Sequence, residues 1–169
     1  QVIVGSCMGA YFLLQAIHAQ NPEQAVVILT QTDGRFYPKP VLSSGHYHAK
    51  KPQDMITASA EAMMRDYGAR IVCYARVERV DNAARCVVYE HEGKQVSLAY
   101  RSLVLALGSS AKSLPIQGAE HVFQVNDIEA YELFYAKLAG KQRVAIIGSG
   151  LIGVEFAHDL AYAGYEVVM

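Results

Sequence analysis

Residues 143–153 read RVAIIGSGLIG, and this stretch decides the fold. An apolar run of strand length leads directly into a G-x-G-x-x-G motif, and apolar residues then recur at helical spacing to about Ala163. A second run of strand character follows at 165–169. The pattern predicts a strand, a glycine turn, a helix and a parallel strand, which is the β-α-β unit of an α/β protein.

Each glycine of this turn has a physical reason. Gly148 permits the tight bend, Gly150 lets backbone approach a pyrophosphate, and Gly153 lets the helix pack closely on the strand. The first helical residues, Leu151 and Ile152, contribute N–H groups and a positive dipole end that attract an anion. The turn therefore predicts a dinucleotide site, and the alternative is a glycine-rich turn that binds nothing.

The same arrangement opens the chain. A strand at 2–4 precedes GSCMGA at residues 5–10, and a helix and a strand at 25–29 follow. Cys7 occupies the position of the second glycine, where its side chain should weaken or displace a nucleotide. No acid ends the second strand, where Thr30 and Gln31 stand. Two interpretations stay open, a nucleotide site and a decayed or purely structural turn.

Between the two units the period of the apolar residues changes from helical to alternating. A helix is predicted at 54–67, and a further one at 127–138. Short β-rich runs at 71–80, 85–89, 96–98 and 102–107 predict a β-meander that feeds a buried strand. We place a domain boundary near Gly118, which divides the chain into 1–118 and 119–169.

Composition excludes several classes of function. Of the 169 residues, 52% are hydrophobic and 18% are charged, and the formal net charge is -1, so an ordinary globular chain is predicted. No segment concentrates basic residues, which argues against nucleic acid and anionic membranes as partners. The longest apolar runs are far shorter than the roughly 20 residues of a membrane-spanning helix.

The three cysteines, Cys7, Cys73 and Cys86, are widely separated and form no C-x-x-C pair. This usage predicts a reducing, cytoplasmic compartment and no internal redox disulfide. The sequence opens directly on a strand and without Met, so we expect no signal peptide and a few residues before Gln1.

Together these features resemble the glutathione-reductase-like flavoproteins. The resemblance rests on the two glycine motifs, the meander, and the strand at 103–108 that leads to Leu114 and Pro115. Within that group, GSGLIGVEFA at 148–157 and YPKPVLS at 37–43 most resemble the rubredoxin and flavorubredoxin reductases. The implied fold is an FAD/NAD(P)-binding Rossmann-type α/β fold with a β-meander. Residues 1–118 would form the first FAD-binding segment, and 119–169 the first half of an NAD(P)-binding domain.

The resemblance implies specific cofactor contacts. Residues at the first glycine loop would contact the FAD pyrophosphate, and further positions would contact its ribose, adenine and flavin parts. The FAD positions are Gly5, Ser6, Cys7, Met8, Gly9, Ala10, Thr30, Gln31, Lys39, Val77, Ala106 and Gly108. The NAD(P) positions are Gly148, Gly150, Leu151, Ile152 and Gly153, with Glu155 near both redox rings.

Two departures from relatives affect the implied chemistry. Glu155 pairs in many relatives with a lysine whose place is taken here by Ser44, so we expect water or another donor beside Glu155. The alternative is that Glu155 is only an acid favoured by the helix dipole. In the peroxidases and disulfide reductases of this group the residue at position 44 is a redox-active cysteine. A serine hydroxyl cannot run that thiolate cycle.

The implied function is an FAD-dependent NAD(P)H oxidoreductase that passes electrons to a small redox protein such as rubredoxin. Alternatives are an NADH oxidase or ferredoxin reductase, and a non-catalytic nucleotide-binding fragment. The residue that would choose between NAD and NADP is expected after Met169. We expect the 169 residues alone to be poorly stable and inactive, because sheet edges would be left open.

Several other residues are interpreted as structural. His46 and His48 lack companion ligands, so we expect a solvated loop and no metal site. Met63 and Met64 are expected in the core and at its rim. Cys73 and Cys86 are expected to be inert buried thiols.

Overall fold

The computed structural model describes residues 1–112 and 115–169, and these residues fall into two compact units. The first unit contains Gln1–Tyr37 and Thr57–Ser109, and the second contains Pro38–Ile56 and Ser110–Met169. Leu114, which contributes to the family resemblance, lies outside the described residues. The assignment of 1–118 and 119–169 to nucleotide domains stays a prediction.

The first unit is a parallel sheet with helices and a meander. Its elements in chain order are β1 (Val2–Val4), α1 (Met8–Gln20), β2 (Val27–Leu29), α2 (Ala60–Tyr67), β3 (Arg70–Val72), β4 (Arg76–Asp81), β5 (Cys86–His91), β6 (Lys94–Ala99) and β7 (Leu103–Leu105). The sheet order is β3-β2-β1-β7, and every neighbouring pair is parallel. The predicted β-α-β opening of the chain is confirmed.

The core of this unit forms where α1 covers the sheet. Ile3 and Ile28, from the two central strands, and Tyr11 and Leu14 from α1 are buried in one cluster. Burying such side chains contributes about 1.5–3 kcal/mol each. Met63 is buried in the same cluster and Met64 packs beside it, as the sequence predicted. This cluster fixes the turn between β1 and α1 at the carboxyl edge of the sheet.

The predicted meander is confirmed as the antiparallel sheet β4-β5-β6. The single run predicted at 71–80 is wrong, because the chain breaks between β3 and β4 at Tyr74, which has a φ of +53°. The prediction of a buried final strand is also wrong, since Leu105 in β7 is 57% exposed. Strand β7 nevertheless joins the parallel sheet at β1.

The helix predicted at 54–67 is shorter than expected. Ser59 accepts a hydrogen bond from the backbone N–H of Ala62, so α2 begins only at Ala60. A serine at this position satisfies one of the free N–H groups of the first turn. The residues before it form a separate 3-10 helix at Pro52–Met55.

The second unit contains α3 (Ile128–Leu138), β8 (Arg143–Ala145), α4 (Leu151–Tyr162) and β9 (Glu166–Val168). Strands β8 and β9 are parallel, which confirms the second β-α-β unit. The segment 38–56 packs against the helices of this unit through Gly45. A Cβ at Gly45 would collide with the hydroxyl of the buried Tyr131 in α3. The segment can therefore lie this close to α3 only because residue 45 is glycine.

Within the described ranges, every helix is too short or too polar to cross a membrane.

Candidate functional site

The two glycine loops have nearly the same backbone geometry. Gly5 and Gly148, which end their strands, have φ values of +105° and +112°. Cys7 and Gly150, which precede the helices, share a φ of -71°, with ψ values of 175° and 171°. The positive φ values favour glycine at the first position. The two turns are thus repeated copies of one structure, although their sequences differ at the second glycine.

Both loops lead into helices whose N-termini lack side-chain caps. Neither α1 nor α4 has a capping hydrogen bond from its N-cap residue or an acidic residue in its first turn. Helices α2 and α3 differ, since Ser59 and Asp127 cap them and Glu61 and Glu129 lie in their first turns. The N–H groups of α1 and α4 are therefore left for an anionic ligand, which the helix dipole also favours.

Close contacts fix the glycine positions at both turns. A Cβ at Gly5 would collide with the carbonyl oxygen of Ala106, which follows β7. A Cβ at Gly153 would collide with the carbonyl oxygen of Gly148, so the start of α4 lies directly against its turn. Leu151 and Ile152, which lie between Gly150 and Gly153, are exposed.

Cys7 is accommodated without backbone strain. Its φ and ψ are those of extended backbone that any residue adopts. Its Sγ atom lies 3.0 Å from the place where a Cβ of Gly108 would stand, so the missing side chain at Gly108 makes room for the thiol. The backbone geometry of the first loop therefore fits a pyrophosphate as well as that of the second loop does.

Three hydroxyl groups meet beside the first loop. The Oγ of Ser6 lies 2.7 Å from Oγ1 of Thr30 and 3.3 Å from Oγ1 of Thr32, and the two threonine oxygens are 3.1 Å apart. Thr30 is buried, whereas Ser6 and Thr32 are half-buried. We call Ser6, Thr30 and Thr32 the hydroxyl cluster. It occupies the end of β2, where dinucleotide-binding proteins commonly place an acid.

Most of the residues predicted for FAD lie at one edge of the first unit. The turn at 5–7, the start of α1 with Met8, Gly9 and Ala10, and the strand ends at Thr30, Ala106 and Gly108 are contiguous. Gln31 is exposed next to Thr30.

Two further predicted residues lie elsewhere. Val77 is in β4, paired with Tyr89 of the meander. Lys39 belongs to the second unit, where its Nζ lies 3.5 Å from Oδ1 of Asn126.

In the second unit, Glu155 meets the donor that the sequence predicted. The hydroxyl of Ser43 donates to Oε2 of Glu155 at 2.6 Å. Ser44, which takes the place of the lysine in relatives, instead donates to the backbone carbonyl of Val41 at 3.4 Å. The neighbouring serine therefore supplies the partner of the acid.

Asp159 holds the same segment one helical turn further along α4. Its carboxylate accepts hydrogen bonds from the backbone N–H groups of His46 and Tyr47, at 3.2 and 2.7 Å, and lies 3.0 Å from Nδ1 of His46. The side chain is only 2% exposed. Burial by itself raises the pKa of Asp159, but hydrogen bonds from His46 and Tyr47 outweigh it and lower the pKa below its usual value. We call Asp159, His46 and Tyr47 the Asp159 clamp.

The clamp was missed by sequence reasoning. The prediction of a solvated loop is wrong for His46, whose side chain is 14% exposed and whose ring stacks on Tyr135. A carboxylate four residues after Glu155 in an otherwise apolar helix was the available signal. Cys73 and Cys86 were expected to be buried but are half-buried, and burial raises the pKa of Cys73.

A cavity of about 530 Å³ opens beside these contacts within the second unit. Ser43, Glu155, His158 and Tyr47 contribute polar groups to its wall. The ring of Tyr47 is held by Tyr162 at a centroid distance of 4.7 Å. Among the described residues, no group of three or more His, Cys, Asp or Glu side chains is arranged for a metal ion.

The fold and the two open helix N-termini define an α/β protein with two loops of the kind that bind dinucleotides. The chain belongs to the pyridine nucleotide-disulphide oxidoreductase family, whose model matches residues 1–169. The family is one of oxidoreductases, and the predicted fold class is confirmed.

Curated relatives support the more detailed resemblance. The rubredoxin-NAD(+) reductase of Alcanivorax borkumensis is 34% identical over 168 residues, which are 98% of this chain and 43% of that protein. A nitric oxide reductase FlRd-NAD(+) reductase of Vibrio vulnificus is 32% identical over 170 residues, or 99% of this chain and 44% of that protein. The predicted resemblance to rubredoxin and flavorubredoxin reductases is confirmed. The chain spans less than half the length of these relatives.

Solved structures agree on the fold. The water-forming NADH oxidase of Lactobacillus brevis, bound to NADH, superposes with a TM-score of 0.87 at 22% identity, covering 98% of this chain and 38% of that chain. The NADH:rubredoxin oxidoreductase of Clostridium acetobutylicum gives 0.80 at 17% identity, covering 98% and 42%. At these identities the similarity concerns the fold alone.

Proposed function

We propose that the protein containing this chain is an FAD-dependent NAD(P)H oxidoreductase that passes electrons to a small electron-carrier protein of the rubredoxin type. The observation that carries the proposal is the pair of glycine loops with matching backbone geometry, each leading into a helix without a side-chain cap. One such turn is common in α/β proteins, but two in one chain suit a protein that holds two dinucleotides.

The first loop is assigned to FAD. Ser6, Cys7, Met8 and Gly9 would direct backbone N–H groups at its pyrophosphate, and the thiol beside Gly108 leaves that backbone in the geometry of an ordinary glycine loop. The strand ends carrying Thr30 and Ala106 complete this edge of the sheet.

The second loop is assigned to NAD(P)H. Gly148, Gly150 and Gly153 shape the turn, and the exposed start of α4 at Leu151 and Ile152 supplies the N–H groups. The choice between NADH and NADPH is left to experiment.

Glu155 is assigned as an orienting group for the reaction. Bound FAD would supply the redox chemistry of the site, which is acceptance of a hydride from NAD(P)H and release of single electrons. The Ser43 hydroxyl fixes one carboxylate oxygen of Glu155, and the acid is thereby held at the wall of the cavity. Positioning of this kind raises rates because the reacting groups need not search for their geometry.

Position 44 excludes one route for the electrons. Ser44 has a hydroxyl where a redox-active cysteine would be needed, and the three cysteines of the chain are all free. Without a thiol at this position, the electrons would leave for an external acceptor. The relatives named for rubredoxin and flavorubredoxin support a small redox protein as that acceptor, and the cysteine usage suits a reducing, cytoplasmic compartment.

The experiment uses the full-length protein. It is purified and its visible flavin absorbance is recorded, then NADH or NADPH is mixed in under anaerobic conditions and bleaching is followed by stopped flow. Rubredoxin, a ferredoxin and oxygen are compared as acceptors. We expect a yellow protein whose flavin absorbance is bleached within seconds and is restored fastest by rubredoxin.

The outcomes separate the alternatives. Fastest reoxidation by oxygen would indicate an NADH oxidase, and fastest reoxidation by ferredoxin would indicate a ferredoxin reductase. A colourless protein that stays colourless with added FAD would contradict the flavoenzyme assignment. Recovery of flavin binding in Cys7→Gly, with Cys86→Gly as the matched control, would then assign the defect to the first loop.

A further inference from the structure

The hydroxyl cluster at the end of β2 can donate hydrogen bonds, which an ionised carboxylate cannot do. We propose that the first glycine loop recognises the adenosine ribose of its nucleotide with Ser6, Thr30 and Thr32 in place of an acid, and therefore also accepts nucleotides that carry a 2′-phosphate. The inference rests on the proposed nucleotide site at this loop.

The hydroxyl cluster lies where a dinucleotide-binding unit meets the ribose of its nucleotide. Ser6 lies inside the turn between β1 and α1, and Thr30 and Thr32 follow directly on β2. An acid at the end of the second strand of a dinucleotide-binding unit bonds the ribose 2′-hydroxyl. The hydroxyl cluster lies at that place, and its half-buried members, Ser6 and Thr32, are open to a ligand.

The hydroxyl cluster can both donate and accept hydrogen bonds. Each hydroxyl has one donor and two acceptor positions, whereas an ionised carboxylate only accepts. Backbone N–H groups of Thr32 and Gly34 each approach a threonine hydroxyl, at 3.3 and 3.4 Å, and occupy acceptor positions. The Ser6 to Thr32 contact, at 3.3 Å, is the longest within the cluster.

The hydroxyl hydrogens of the cluster can therefore adopt two hydrogen-bonding arrangements. In the first arrangement all three hydrogen bonds within the cluster are formed, and Ser6 retains an acceptor position that suits a ribose hydroxyl. With the long contact to Thr32 opened, one hydroxyl hydrogen is released and can donate to a phosphate oxygen. A carboxylate could make only the first of these arrangements, since it has no hydrogen to donate.

The acidic charge next to the hydroxyl cluster has a basic partner. Asp33 is the acid nearest in sequence to the cluster, and it forms an ion pair with the guanidinium of Arg35. The backbone N–H of Arg35 also donates to Asp33 Oδ1 at 3.0 Å. The negative charge of Asp33 is thus partly compensated beside the site. An arginine near this strand end is the usual means of accommodating a 2′-phosphate.

The test compares two probes that differ only in the 2′-phosphate. Full-length protein, freed of flavin, is mixed with FAD and with either ADP-ribose or 2′-phospho-ADP-ribose at fixed salt concentration. The dissociation constant of each probe is taken from its competition with FAD, so that binding at the second loop is not counted. FAD binding is measured in parallel. The expected dissociation constants of the two probes differ by less than about fivefold, a free-energy difference of about 1 kcal/mol.

Variants assign the binding to the cluster. Thr32→Asp installs the acid and is expected to weaken 2′-phospho-ADP-ribose at least tenfold relative to ADP-ribose, because like charges then face each other. Thr32→Ser keeps a hydroxyl and is expected to leave the ratio unchanged. If Thr32→Asp fails to fold by circular dichroism, Thr32→Val is the second variant, and a loss of affinity for both probes is expected.

Three results would overturn the inference. The first is a 2′-phosphate penalty above about fivefold in the unaltered protein. The second is an unchanged ratio in Thr32→Asp, and the third is unchanged affinities in Thr32→Val. Each of these leaves the proposed function standing while FAD still binds. Failure of FAD and of both probes would instead refute the proposed function.

Discussion

Replacing Asp159 by asparagine tests the contacts that hold segment 38–56 on α4. The carboxylate accepts from two backbone N–H groups and lies 3.0 Å from Nδ1 of His46, and the side chain is 2% exposed. In Asp159→Asn one oxygen remains for Tyr47, but the amide NH₂ group faces the donors of His46. Two hydrogen bonds to a charged acceptor are lost, each contributing about 1.5–3 kcal/mol.

The expected cost is about 3–6 kcal/mol, the range given by the loss of two hydrogen bonds to a charged acceptor. Amide hydrogen exchange of the full-length protein at pH 7 reports it locally, as a fall in the opening free energy of the His46 and Tyr47 amides. Glu166→Gln is the control, since its ion pair with Arg143 is exposed at 63% and 74% and exposed pairs contribute about 0–1 kcal/mol. A change below about 1 kcal/mol in Asp159→Asn would refute the clamp.

The pH dependence of the clamp follows from the lowered pKa of Asp159. A carboxylate whose pKa is lowered by folding stabilises the protein above its unfolded pKa of 3.8 and loses this contribution as the pH falls further. Protection of the two amides should therefore decline below about pH 4 in the unaltered protein. In Asp159→Asn this decline should be absent.

Two further substitutions test the second unit. Ser43→Ala removes the 2.6 Å hydrogen bond to Glu155, and we expect flavin reduction in stopped flow to slow roughly tenfold. Ser44→Ala is the control and should change the rate of flavin reduction little. Equal effects of the two substitutions would contradict the assignment of Glu155. Gly153→Val places a branched side chain, larger than the Ala10 that the first loop has at the matching position, against the carbonyl oxygen of Gly148. NAD(P)H binding should therefore be lost and stability should fall by about 1–3 kcal/mol. Unaltered NAD(P)H affinity in dialysis would show that the second loop is not the site.

Local patterns predicted the framework of the fold. The glycine turns at 5–10 and 148–153 sit between strand and helix patterns, so neighbours in sequence decide both β-α-β units. The errors arose where one residue overrides a pattern. Ser59 starts α2 later than the apolar spacing indicated, and Tyr74 with its positive φ divides one predicted strand into two.

The contacts of the site were less predictable because they join distant residues. Ser43 and Glu155 are 112 positions apart, and His46 and Asp159 are 113 apart. A donor beside Glu155 was expected because burying an unpaired acid costs free energy, but no local sequence pattern identified Ser43 as that donor. The Asp159 clamp and the hydroxyl cluster depend on how the chain folds back, and periodicity carries no information about that.

The most direct test of the account is nucleotide stoichiometry. Equilibrium dialysis of the full-length protein, freed of flavin, against FAD and then against NADH or NADPH in the presence of FAD measures occupancy per polypeptide. We predict one FAD and one nicotinamide nucleotide per chain, with Gly153→Val losing only the second. Failure of the protein to hold either nucleotide would contradict the account.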